Sequence, residues 1–384
     1  MLDRLKLIIY VMLYLTHQAM ISASIQSKVF VHRNAKSIAI GYPCTLNRNF
    51  KKVLPEIEHS LNNAGCPFEK TGTYDRARHE DERRLIIRIA DMWNVDKENI
   101  WGYTTSGGSE GNLEGIYIAR EKYPDGVLYA TDQIHYSIKK IAKLLRMKFV
   151  IVPSDSTGAM DVCQFDSLVD KTKPAIVLAN IGSTFVGGVD NVEQIHHILK
   201  RNGMNFYVHA DAAFYGFIMK YLRPGFSDYV FYDSISVSCH KFPGLPFPAG
   251  IFMSVKNHVE YIDNFEEVIR QRDITISGSR NGHTGIFMNY FFDTVDLEKE
   301  VDDCLERTEY LFERLKEAVP ECKPWKNDRS IIVVFKSPSD EIIRKWSLAT
   351  VQGRSHVVVL SHVTKDVIDT FVHDMAMYFG RRTS

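Results

Sequence analysis

The sequence predicts an α/β protein: a mostly parallel central sheet with helices on both faces, followed by a smaller α+β domain. Three observations carry that prediction. Between residues 82 and 255 short apolar stretches alternate with amphipathic ones, the rhythm of strand and helix in turn. Several short stretches, AIVLAN at residues 175–180 among them, are almost continuously apolar, as strands covered on both faces must be. After about Thr284 the rhythm gives way to one long helical pattern and a few separate strands and helices.

Taken in order, the chain opens with an apolar run at residues 7–15 (LIIYVMLYL) behind Arg4 and Lys6, with small residues at 21–24. The run is too short for a bilayer, which needs about 20 apolar residues. It reads as a helix packing on the body or on a partner subunit, with a signal peptide as the alternative. Residues 28–79 are irregular, with turn signals at GYP 41–43, NRN 47–49 and NNAG 62–65. Helical periods follow at 82–93, 112–122, 137–145, 162–169 and 192–201, and strands at 100–105, 127–131, 149–152, 175–180, 206–209, 234–237 and 250–255. Beyond 284 the apolar positions Val301, Cys304, Leu305, Thr308, Phe312, Leu315 and Val319 mark a long helix. Strands at 331–335 and 356–360 and helices at 342–346 and 367–378 complete the chain. The expected division is an N-terminal segment over 1–79, a large domain over 80–290 and a small one over 291–384.

Composition narrows function. Lysine plus arginine and aspartate plus glutamate both total 47, so the formal net charge is zero and nothing favours nucleic acid. The six cysteines are scattered, without a CxxC pair or zinc-ligand spacing, which suits thiols in a reducing, cytoplasmic setting and no metal. No membrane association is expected.

The chemistry concentrates at predicted strand ends. Ser236 lies in the strand at 234–237, and Ser238, His240 and Lys241 follow it, ahead of a turn rich in Pro and Gly. A lysine held inward by such a turn loses its charge more easily than the reference amine, whose pKa is about 10.4, and becomes nucleophilic. A solvated lysine beside a surface loop is the plainer alternative. The stretch TSGGSEGN, residues 105–112, joins a strand to a helix, and its glycines and free N–H groups suit a phosphate; an ordinary turn is the alternative. Asp211, with Ala212 and Ala213 beside it, ends another strand where open α/β sheets bind ligands. His135 could stack on a planar ligand, with Ser137 capping the following helix, and Ser183 and Thr184 close a further strand on the same rim.

The ordered set SGGSEGN, HYS, NIGST, HADAA, SxSxHK and GSRNGH resembles the group II pyridoxal-phosphate-dependent amino-acid decarboxylases. The resemblance runs from GYPCTLN at 41–47 to HVVVL at 356–360 and is strongest to the branch of bacterial-type histidine decarboxylase and plant serine decarboxylase. It implies the aspartate aminotransferase-like transferase fold (fold type I), pyridoxal 5'-phosphate as cofactor and a homodimer with shared active sites. It also implies roles. Lys241 would bond the cofactor aldehyde, Asp211 would pair with the pyridine nitrogen and His135 would stack on the ring. Ser106, Gly107, Gly108, Ser238 and His240 would hold the phosphate, with Thr184 and Ala213 also lining the cofactor. Ser279, in the stretch 279–282, would approach the phosphate from a second subunit. Tyr42, Pro43 and Asn63, with His135, would meet the substrate. Three residues depart from the pattern: Cys239 and Cys66 replace glycine and aspartate, and Val268 stands where relatives often carry tyrosine.

The expected reaction is decarboxylation of an L-amino acid, histidine, serine or a related polar one, to its amine. Alternatives are aldehyde-forming decarboxylation–deamination, transamination, or a basic or aromatic substrate. A catalytically silent binding protein is the reading from a different class.

Overall fold

The computed structural model describes residues 39–69, 76–223, 232–262 and 265–380. The apolar run at 7–15 and the small residues at 21–24 lie outside the described residues. In chain order the principal elements begin with β1 (Asn62–Ala64), α1 (His79–Met92), β2 (Ile100–Thr105), α2 (Gly108–Lys122), β3 (Val127–Thr131), α3 (Ser137–Leu144) and β4 (Lys148–Val152). Next come α4 (Val162–Leu168), β5 (Ala175–Asn180), α5 (Val192–Arg201), β6 (Phe206–Asp211), β7 (Ser234–Ser238) and β8 (Gly250–Val255). The chain continues through β9 (Phe265–Glu266), β10 (Gln271–Arg272), β11 (Ser279–Asn281), α6 (His283–Thr294) and α7 (Leu297–Ala318). It closes with β12 (Ile332–Lys336), α8 (Asp340–Trp346), β13 (Ala349–Val351), β14 (Arg354–Val358) and α9 (Lys365–Gly380).

The seven-stranded sheet has the order β2-β8-β7-β6-β5-β3-β4. The pairings from β7 through β6, β5 and β3 to β4 are parallel, while β8 runs antiparallel to both of its neighbours. Hence β2 shares the direction of the parallel strands, and β8 alone runs against them. Alternate residues of one strand enter opposite cores. Val127, Tyr129, Val177, Val208 and Ile235 pack on one face, and Leu128, Ala130, Ile176, Leu178 and Tyr207 on the other. Burial of both faces is the physical reason for the near-continuous apolar runs in the sequence.

The helices start where local chemistry lets them. Asp161 caps α4 by accepting from Cys163 N (2.9 Å) and Gln164 N (3.1 Å). Asn191 accepts from Gln194 N (3.1 Å) and Asp296 from Lys299 N (3.0 Å). Helix α2 begins at Gly108, four residues before the predicted 112, so the glycine stretch is itself the helix's first turn.

The C-terminal elements build a three-stranded antiparallel sheet, β12-β14-β13. Val333, Phe335 and Val357 join Leu311 and Leu315 of α7, Trp346 of α8 and Phe371 of α9 in a separate core. Ile40 belongs to that core too, although it lies far away in the chain. The first turns of α7 pack instead on the large core through Leu297, Val301 and Cys304. Among the described residues, no helix is long and apolar enough to cross a membrane.

A buried polar knot ties β1, β2, β11 and α1 together. Glu82 and Arg280 are almost completely buried, and Arg280 donates to Glu82 through Nε (3.3 Å) and Nη2 (3.2 Å). Thr104 N (2.7 Å) and Oγ1 (2.8 Å) donate to Glu82 as well, and Asn63 Nδ2 does so at 2.8 Å. Burial pushes the Glu82 pKa up, but the Arg280 charge and these hydrogen bonds outweigh it and leave the pKa below its ordinary 4.5. The knot therefore contributes its full stability above pH 4.5 and loses it as pH falls through the lower folded-state value. Glu82→Gln, which leaves the Arg280 charge without its partner, is expected to cost about 3–5 kcal/mol in urea unfolding at pH 7. That difference is expected to shrink on acidification below 4.5, since wild type then loses the same interaction.

Candidate active site

The parallel strands place their carboxyl ends along one edge of the sheet. There β6 ends in Asp211, β7 ends in Ser238 ahead of His240 and Lys241, and β2 ends in Thr105 ahead of the glycine turn. Asp211 lies opposite Ser236 of β7.

The glycine turn forms a small cradle lined by backbone amides and serine hydroxyls. Gly107 has φ +145°, and a Cβ there would lie 3.4 Å from His240 Cε1. A Cβ on Gly108 would come to 2.9 Å from Ser238 Oγ and 3.0 Å from Ala213 Cβ. Gly108 N donates to Ser238 Oγ (3.2 Å), and Ser236 Oγ donates to Gly108 O (3.2 Å). Gly107, Gly108, Ala213, Ser238 and His240 are thus brought together at the start of a 15-residue helix. Amide N–H groups at such a helix start, with serine hydroxyls beside them, are a donor set that fits a phosphate. Ser106 sits at the exposed lip, where its N and Oγ both donate to Glu110 Oε2 (2.8 and 2.6 Å).

Lys241 is held by its backbone. Its carbonyl accepts from Thr45 N (3.0 Å) and Gly244 N (3.1 Å), while Thr45 Oγ1 donates to Phe242 O (2.7 Å). Arg48 donates to Pro243 O (2.9 Å) and Phe242 O (3.2 Å), and makes a two-pronged ion pair with Glu300 of α7 (2.8 and 2.9 Å). Burial lowers the Lys241 pKa from 10.5; the charges of Asp211 and Cys44 oppose that shift without cancelling it. Asp211 Oδ2 accepts from Asn112 Nδ2 (2.8 Å) and Oδ1 from Ala213 N (3.2 Å). His135 is also shifted down by burial; Asp211 opposes the shift, whereas Lys241 and Lys140 reinforce it. Lys241, Asp211 and His135 therefore share one electrostatic neighbourhood.

Other expected residues are placed differently. Ser137 is the first residue of α3, and its Oγ pairs with His135 Nδ1 (2.8 Å), so it holds the imidazole where a helix cap was expected. Thr184 is exposed, while neighbouring Ser183 is buried and accepts from Gly188 N (2.9 Å). Asn63 gives its amide to the polar knot, donating to Glu82 and accepting from Arg78 N (2.6 Å). Arg280 is committed to the same knot. Ser279 is exposed on β11 and accepts from Asn62 Nδ2 (3.1 Å). Nearby Ser277 donates to Glu110 Oε1 (2.6 Å), so this segment reaches the lip of the cradle within its own chain. Tyr42 is 57% exposed; the neighbouring Cys44 charge, burial and Tyr136 raise its pKa.

Of the departures from the family pattern, Cys239 is fully buried among apolar side chains, and burial pushes its thiol well up. It fills space in the core. Cys66 is buried and accepts from Trp101 Nε1 (3.3 Å), and Val268 is 92% exposed between β9 and β10. Two residues here escaped sequence reasoning. Cys44 has its pKa raised to about 11, chiefly by burial, with Lys241 and a hydrogen bond to Tyr42 pulling the other way. Its position inside GYPCTLN was the available signal. Asn112 gave one as well, as the last residue of SGGSEGN.

This edge is that of a known family: the model of the pyridoxal-dependent decarboxylase conserved domain matches residues 82–336. The chain belongs to that family. It is similar to serine decarboxylase 2 of Oryza sativa subsp. japonica, with 38% identity over 355 residues, 90% of this chain and 75% of the relative. It is likewise similar to a histidine decarboxylase of Vibrio campbellii, with 34% identity over 356 residues, 89% of this chain and 92% of that one. The crystal structure of L-methionine decarboxylase from Streptomyces sp. 590 shares the fold, with TM-score 0.82, 22% identity, and coverage of 94% of this chain and 95% of that one. The protein is a carboxy-lyase that uses pyridoxal phosphate to decarboxylate an amino acid, on a fold type I scaffold.

Arg48→Ala removes both the ion pair to Glu300 and the support of the turn after Lys241. The expected loss is on the order of 2 kcal/mol in thermal unfolding, with weaker retention of pyridoxal phosphate on dialysis.

Proposed function

We propose that Lys241, Asp211 and His135 carry the decarboxylation, and that the substrate is L-histidine, L-serine or a related polar L-amino acid. The observation behind this reading is Lys241 itself. Its amine has a lowered pKa and lies within electrostatic reach of Asp211 and His135, on the edge that carries the glycine cradle. When bound, pyridoxal phosphate supplies an aldehyde for the amine to bond and a protonated ring that accepts the electrons of the breaking Cα–carboxylate bond.

The chain's own residues divide the remaining work. Lys241 Nζ, kept neutral more easily by burial, would be the amine that holds the cofactor aldehyde. Asp211 would hold a proton at the ring nitrogen. His135, oriented by Ser137, would cover the cofactor. Gly107 and Gly108, with Ser106, Ser238 and His240, would hold the phosphate, and Ala213 would leave room for the ring. Tyr42, with Cys44 beside it, would line the substrate side. Thr184 would line the cofactor and Ser279 would approach the phosphate, while Asn63, expected to meet the substrate, has its amide committed to Glu82 and Arg78.

The reading extends to assembly and place. We infer a cytoplasmic homodimer in which the exposed face of residues 39–69, whose buried side chains pack on their own chain, meets the partner, with a large domain over 80–290 and a small one over 291–384. Exposed Leu46, Leu54 and Ile57 support an apolar contact by that segment. The separate C-terminal core supports the division.

Incubation with pyridoxal phosphate and a panel of amino acids, with detection of amine and CO2, tests the substrate. Release of histamine or ethanolamine is expected; aldehyde with ammonia, or a keto acid, would replace the reading with another activity. Lys241→Ala is expected to abolish both turnover and the visible absorbance of covalently held cofactor, and an unchanged spectrum would overturn its role. Asp211→Ala is expected still to bond the cofactor covalently, but more weakly and with a shifted band, while losing about 10²–10³-fold in kcat.

A further inference from the structure

We propose that Asn112, His209 and Ser234 form a buried hydrogen-bond relay that positions the Asp211 carboxylate against the cofactor's ring nitrogen. The proposal rests on the reading of Asp211 as the pyridine partner. It assigns a purpose to three almost fully buried residues, on α2, β6 and β7.

The direction of every bond follows from the end of the chain. Asp211 Oδ2 can only accept, so the Asn112 group 2.8 Å from it is the amide nitrogen. Turning the amide over would set its oxygen against the carboxylate. Asn112 Oδ1 then faces His209 Nε2 at 3.0 Å, and this imidazole nitrogen must carry the hydrogen. A neutral ring protonated at Nε2 has Nδ1 free to accept, and Ser234 Oγ lies 2.7 Å from it. Donation thus runs one way, from Ser234 through His209 and Asn112 to Asp211. Burial holds the His209 pKa down at about 3, so the ring stays neutral and its partners fix the tautomer.

The surroundings are built around this arrangement. Relative exposures are 0% for Ser234, 0% for His209, 1% for Asn112 and 7% for Asp211, so water does not compete for the bonds. The imidazole lies roughly parallel to Phe252, with ring centroids 6.3 Å apart. Gly115, one turn beyond Asn112, admits no side chain, because a Cβ there would run into the His209 ring. With Ala213 N on Oδ1, both Asp211 oxygens are held from the protein side, and each keeps lone-pair capacity for a ligand. A polar chain that served packing alone could be replaced by apolar residues at little cost; this one ends on the carboxylate at the site's edge.

The experiment uses full-length enzyme stripped of cofactor and titrated with pyridoxal phosphate. Quenching of tryptophan fluorescence gives Kd, the absorbance band of the bound cofactor gives a spectroscopic signature, and thermal unfolding of the apo-protein reports folding. Asn112→Leu keeps the volume and removes the donor; it is expected to weaken pyridoxal phosphate binding by about tenfold or more and to shift the band. His209→Gln, which can still donate to Asn112, is expected to hold Kd within about threefold of wild type, whereas His209→Leu falls with Asn112→Leu. If Asn112→Leu does not fold, the two His209 variants decide. Wild-type affinity and band in Asn112→Leu or in His209→Leu, or a His209→Gln as weak as His209→Leu, would overturn the relay. Asp211→Ala measured alongside separates the two readings: if it too binds as wild type, the role of Asp211 fails, and with it the relay.

Discussion

Much of this site depends on how closely helix α2 lies on the sheet. Its axis passes over β6 and β7 with no side chain at Gly111 or Gly115, so its backbone reaches Ser236 and the His209 ring directly. That approach brings the helix's first amides to Ser238 and Ala213 and its Asn112 to Asp211. One packing contact therefore sets two distances at once, from the glycine turn to the β7 turn and from Asn112 to the carboxylate. Larger side chains on this face would push the helix outward and spoil both.

The lysine turn is held from the other side by segments distant in sequence. Thr45 and Arg48 take up the carbonyls of Lys241, Phe242 and Pro243, and Arg48 is itself anchored by Glu300. A turn held by carbonyl contacts leaves the amine itself unengaged while shielding it in part from bulk water. The same shielding lowers the pKa of Lys241 and His135. Structural restraint and the lowered pKa thus share a cause, partial burial between the edge of the sheet and the N-terminal segment. Ion pairs at this depth hold geometry more than they add stability, because desolvation offsets much of their Coulombic gain.

Local pattern was legible where it repeats. The strands at 100–105, 127–131, 175–180 and 250–255 and the helix at 192–201 stand where periodicity put them, because alternation and the 3.6-residue period are properties of short stretches. Helix α2 starts four residues before its sequence pattern does, since glycine weakens a helical pattern even where tertiary contacts hold the first turn. The hairpin of β9 and β10, the short β13 and the helix α6 left too little alternation, or too uniform an apolar run, to be read. The reversed direction of β8 left no mark at all, because a buried strand looks the same either way along.

What the sequence determined by itself was the alternation of elements, the family-bearing motifs at strand ends and the lysine, aspartate and histidine within them. Each is written in neighbouring residues, and the parallel topology then carries them to one edge. Only the tertiary structure decided which polar groups were free to act. Asn63 and Arg280 were drawn into an ion-paired knot with Glu82, Ser137 to an imidazole, and Cys239 into the apolar core. Cys44 came to lie beside Lys241, and Asn112 between His209 and Asp211. The reason is physical: a buried polar group must find a partner, and that partner is set by the packing of elements far apart in the chain.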